Sequence, residues 1–118
     1  MTTFGKWKEL LPEGWYPYEV IDAFEEETQW GKKKTIQFLL TLANGRKAVF
    51  DFRTSAAPSP NNPLGKFLIV CFGQEVIGRE VEMREVLQKR GECFVTRATT
   101  PNGGQYNKIT DFRPLGGQ

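Results

Sequence analysis

The chain has 118 residues, 16 basic and 14 acidic, a net charge of +2, which suffices for one hydrophobic core and is too short for two domains. It has no histidine and two cysteines outside any C-x-x-C pair, which excludes Ser-His-Asp chemistry and leaves no ligand set for zinc. No apolar run approaches the roughly 18 residues of a membrane span, and Met1 to Lys8 lacks the apolar stretch of a signal peptide.

The expectation is therefore one soluble cytoplasmic domain over residues 1–118, with a short N-terminal arm (1–11), a mobile C-terminal tail (113–118) and no cofactor. Cys71 and Cys93, both in apolar contexts, read as buried free thiols of a reducing compartment.

Pro12-Glu13-Gly14 signals a turn, and the β-formers from Trp15 to Phe24 predict a first strand in which Pro17 must lie at an edge or bulge. Glu25 to Lys34 has no apolar period and reads as a loop. Thr35 to Leu42 alternates, with Ile36, Phe38, Leu40 and Leu42 on one face, and predicts a half-buried second strand. Asn44-Gly45 predicts a type I′ hairpin into a third strand, Arg46 to Arg53, with Ala48, Phe50 and Phe52 on one face and Lys47, Val49, Asp51 and Arg53 on the other.

Thr54 to Asn62 leaves the sheet, and Asn62-Pro63 starts a helix that Gly73 ends. Its apolar residues lie nearly all round, which predicts a buried plug. A further helical turn is expected near Met83 to Leu87, then strands Glu92 to Thr99 and Gln105 to Phe112 joined by the turn Thr100 to Gly104.

The order β-β-β-α-β-β is that of the five-stranded OB-fold Greek-key barrel, so the expected class is all-β with one helix; a plain β-sandwich is the rival. This order, with Leu11-Pro12-Glu13-Gly14-Trp15-Tyr16 before the first strand and Pro101-Asn102-Gly103-Gly104-Gln105-Tyr106 at the last hairpin, resembles phage-encoded single-stranded-DNA-binding proteins over residues 11 to 113. The resemblance implies sequence-tolerant binding of single-stranded DNA, RNA being the other option, by a homo-oligomer in phage replication or recombination in the host cytoplasm. The end of the chain departs from bacterial-type single-strand binders, because Arg113 to Gln118 is not an acidic recruiting tail.

Charge is uneven: residues 1–27 carry two lysines against seven acids, whereas residues 28–53 carry six basic residues against Asp51. Trp30 beside Lys32, Lys33 and Lys34 offers a π-surface for a base next to cations for phosphates. Arg46, Lys47 and Arg53 on the third strand are further phosphate candidates, and Tyr106 and Lys108 share a face of the last hairpin. Phe50 and Phe52 are either core or ligand-facing. The Lys6-Trp7-Lys8 cluster reads as an arm or subunit contact.

Two other classes compete. A metal-dependent nuclease could use Asp22, Glu25, Glu26, Glu27 and Asp51, but consecutive glutamates on a strand alternate sides and do not converge. A non-catalytic interaction or virion-assembly β-domain would leave the lysines as edge protection.

Overall fold

The computed structural model describes residues 10–116; Trp7 and its flanking lysines lie outside them. Five strands form one antiparallel sheet in the order β3-β2-β1-β4-β5: β1 (Gly14–Thr28), β2 (Gly31–Thr41), β3 (Lys47–Thr54), β4 (Arg90–Thr99) and β5 (Gln105–Arg113). One α-helix, α1 (Pro63–Phe72), and two 3-10 turns, Gln74–Val76 and Met83–Val86, fill the connection from β3 to β4. Every neighbouring pair is antiparallel, so the edge strands β3 and β5 run parallel to each other. They share no ladder, and the sheet is open along that seam. No described helix is long and apolar enough to cross a membrane.

β1 is long because its two halves serve different neighbours. Gly14 to Glu19 pairs with β4, and Tyr18 to Thr28 pairs with β2. Pro17, which has no N–H to donate, sits opposite Glu92 just before the β2 ladder begins, so the strand has a neighbour on one side only at that point. The register slips between Val20 and Asp22, leaving the exposed Ile21 as the extra residue of a bulge. Gly91 pairs with Tyr18, and a Cβ there would stand 2.6 Å from the Tyr18 hydroxyl, so only glycine leaves room for the ring.

Two sequence expectations for the hairpins need correction. Glu25 to Lys34 is not a loop: the β1–β2 ladder continues through Glu25↔Lys34, Glu26↔Lys33, Glu27↔Lys32 and Thr28↔Gly31, turning at Gln29-Trp30. Polar residues with no apolar partner hold a strand here because each glutamate faces a lysine. The β2–β3 connection is a hairpin as expected, but its turn is not type I′. Among the described non-glycine residues only Gln88 has positive φ, so Asn44 does not supply it. Instead the Gly45 N–H donates to the Leu42 carbonyl (2.9 Å), Gly45 takes φ 84, and the Leu42 N–H closes on the Arg46 carbonyl (2.8 Å). This is a three-residue loop with glycine at the left-handed position.

The core lies between the inner face of the sheet and α1. Ile36, Phe38, Leu40 and Leu42 are buried as their alternation predicts, and rings of Tyr18, Phe52, Phe67 and Phe112 stand 4.8, 6.4, 5.4 and 5.7 Å from Phe38. A second bulge between Phe94 and Val95 shifts parity on β5, so Ile109 and Phe112 both face inward.

α1 is buried on one face rather than all round: Leu64, Phe67 and Leu68 are inside, while Ile69, Val70, Cys71 and Phe72 are half-buried. The outward cost is eased at Phe72, whose ring is flanked by Arg79 and Lys89 at 5.3 and 4.9 Å. Asn62 caps the helix, accepting from the Gly65 N–H (2.9 Å) and the Ser59 N–H (3.2 Å) and donating to the Ala57 carbonyl (2.9 Å). Asn62→Ala removes all three contacts and is expected to lower the unfolding free energy by about 1–2 kcal/mol, read as a drop in the urea midpoint.

Candidate nucleic-acid interface

Trp30 sits at the tip of the β1–β2 hairpin with 84% of its surface exposed. Its backbone N–H donates to the Thr28 hydroxyl (3.1 Å), which itself donates to the Gly31 carbonyl (2.6 Å), so the turn is held while the indole is left to solvent. Packing does not account for this residue. Among the described residues Tyr106, on β5, is the other aromatic side chain that is well exposed, at 44%. Most of the other described aromatic residues are structural: they fill the core cluster, or pair on the outer face as Trp15 does with Phe94 at 5.4 Å and with Arg113 at 4.1 Å.

The lysines beside Trp30 are strand residues, and alternation divides them between faces. Lys32 and Lys34 lie on the face that continues from Ile36, with Glu25 and Glu27; Lys33 lies on the outer face opposite Glu26. Lys32 approaches Glu25 at 3.9 Å, and Lys34 donates to the Ala56 carbonyl at 3.3 Å. Lys33 makes no hydrogen bond or ion pair with any described residue. The acidic and basic blocks of the sequence are therefore brought face to face, and much of the polarisation cancels. Exposed pairs of this kind contribute about 0–1 kcal/mol, so they hold the lysines only weakly.

On the outer face of β3, Arg53 meets Asp51 at 3.4 Å, Gln37 donates to Asp51 at 3.0 Å, and Lys47 donates to the Thr41 hydroxyl at 2.7 Å. Arg53 pairs with Thr35 in register, two residues from Lys33 on the same face, so those two cations are neighbours. Arg46 and Lys47 stand at the far end: β2 has 11 residues, and roughly 33 Å separates its ends. The expected site thus falls into three groups: Trp30 with Lys32, Lys33, Lys34 and Arg53 toward one end of β2, Arg46 with Lys47 toward the other, and Tyr106 with Lys108 on β5.

Tyr106 and Lys108 lie across the open seam from β3. Two adjoining clefts follow it, of about 600 and 530 Å3, both lined by Phe50, Asp51, Tyr106 and Asn107. The second also takes in Arg53 and Lys108. Phe50 and Phe52 pack against the core from the inner face and also line the seam, so they belong to both alternatives left open by the sequence. Leu11, assigned to the arm in the sequence reading, is buried, with its N–H on Asn107 Oδ1 (3.2 Å) and its carbonyl accepting from Arg97 Nε (3.3 Å). Asn107 was missed from the sequence because nothing local distinguishes it; its importance comes from the edge position of β5.

Burial pushes the thiols of Cys93 and Cys71 up to about 12 and raises the Tyr18 phenol above its ordinary value. An unfolded chain gives up these protons from about pH 8.5 to 10, while the folded protein keeps them. Stability is then expected to be level in this respect below about pH 8.5 and to fall as pH rises toward 12, seen as a declining melting temperature in an alkaline series.

Among the described residues no three acidic or cysteine side chains gather at one point, with Glu26 facing away from Glu25 and Glu27. No protein-family model matches this chain, and no curated protein is significantly similar to it.

Proposed function

We propose that this protein binds single-stranded DNA without strong sequence preference, in phage replication or recombination, on a partly open Greek-key barrel of the OB type. The observation that carries the reading is Trp30: a tryptophan 84% exposed at the tip of a hairpin whose strand brings three lysines after it. Tryptophan is costly to leave in water, and a stacked base recovers the contact for roughly 1–3 kcal/mol whatever its identity. The strand order and the helix between β3 and β4 support the architecture, since a β3–β5 contact is the step that would close such a barrel.

The cations then act in a graded way. Lys33 has no partner among the described residues and meets a phosphate directly, whereas Lys32 exchanges a long contact with Glu25 for one. Arg53 uses one donor on Asp51 and retains others for phosphate or a base plane. The competing reading, a non-catalytic interaction domain, draws on the glutamate-lysine ladder, which is what edge protection alone would need.

Charge reversal separates the two. Single-strand affinity is expected to fall with salt at a slope of about −0.7 per phosphate contact, and Lys33→Glu is expected to reduce that slope by about 0.7. Anisotropy of a labelled oligothymidine across a salt series reads it out. An unchanged slope in Lys33→Glu removes Lys33 from the interface, and absence of binding at low salt leaves the interaction-domain reading.

A further inference from the structure

Among the described residues no strand covers the open seam between β3 and β5, yet it is not an ordinary exposed edge. Its two clefts are continuous through shared residues, its walls are aromatic at Phe50, Phe52 and Tyr106, and cations stand at one end, Arg53 on β3 and Lys108 on β5. Lys108 has no ion-pair partner among the described residues. Asn107 stands between them: its Oδ1 is occupied by the Leu11 N–H, which fixes the amide orientation, and its Nδ2 is buried with no acceptor. A buried donor left unpaired is costly, and it belongs to a residue that lines both clefts together with Phe50 and Tyr106.

We propose that the bound single strand runs along this seam, with a base between Phe50 and Tyr106, its edge accepting from the Asn107 amide, and the adjoining phosphates on Arg53 and Lys108. This rests on the single-strand reading above and adds the path. Every base carries a ring-edge acceptor, so one amide donor serves any sequence. The aromatic walls and the cations at one end favour a nucleic acid over an extended peptide, which would use the strand edges and need neither. The one acidic residue of the seam, Asp51, is already held by Gln37 and Arg53.

The test uses the intact protein and an oligothymidine carrying 5-iodouracil, irradiated and mapped by mass spectrometry, beside affinities of Tyr106→Ala and Tyr106→Phe. Tyr106 is exposed enough for both variants to fold, which thermal melts verify. Adducts on Tyr106 or Phe50 are expected, with affinity reduced roughly 5- to 150-fold in Tyr106→Ala and largely restored in Tyr106→Phe. Adducts confined to Trp30 and the outer face, with full affinity in Tyr106→Ala, would overturn the seam path and leave single-strand binding standing. Failure to bind any oligonucleotide removes both. A seam filled instead by a second copy or by an added peptide, seen as a mass change or β3 and β5 amide shifts without DNA, also overturns it.

Discussion

Trp30→Ala is expected to weaken oligothymidine binding by about 1–3 kcal/mol while leaving stability within about 0.5 kcal/mol of the parent. The two halves of this result come from the same fact. With 84% of its surface in water, the indole has almost no intramolecular contact to lose, so any large effect of its removal must come from a ligand. The turn does not depend on it either, because Thr28 holds the hairpin through its hydroxyl. Trp30→Phe, which keeps a smaller π-face, is expected to retain part of the affinity. A Trp30→Ala protein that binds normally and melts early would return the residue to a packing role.

Phe38→Ala has the opposite signature. Phe38 is fully buried at the centre of β2, with four aromatic rings around it, and truncation opens a cavity that the rigid sheet cannot collapse. The expected loss is about 3–5 kcal/mol, a large part of the 5–15 kcal/mol that typically separates folded from unfolded domains. Urea titration should show a lower midpoint with an unchanged slope. The folded fraction should still show quenching of Trp30 by oligothymidine, because Phe38 does not reach the hairpin tip, whereas its neighbours Phe50 and Phe52 line the seam, so any loss of affinity reports on that path. The pair of variants thereby separates the residue that holds the fold from the one assigned to the ligand.

The sequence was most legible where one local force acts alone. The alternation of β2 placed Ile36, Phe38, Leu40 and Leu42 inside, and Asn62-Pro63 and Gly73 bounded α1 where capping chemistry puts them. It was least legible where a distant partner decides. Glu25 to Lys34 looked like a loop because strand signals are apolar, and only the pairing of two oppositely charged runs makes a ladder of them. The turn at Asn44-Gly45 was misread because glycine alone took the positive φ. For the site, Trp30 could be singled out from its lysine neighbours, but its exposure could not. Nor could the seam that sets Tyr106, Asn107 and Lys108 across from Phe50 and Arg53, since it exists only through the strand order.

The most direct measurement is a tryptophan-fluorescence titration of the parent protein and Trp30→Phe, with oligothymidine and with duplex DNA of matched length, at several salt concentrations. The expected result is strong quenching by the single strand in the parent, much reduced in Trp30→Phe, with a weak response to duplex. Log affinity should fall with log salt in steps of about −0.7 for each phosphate held. No response to oligothymidine at low salt, or equal quenching with and without Trp30, would contradict the account.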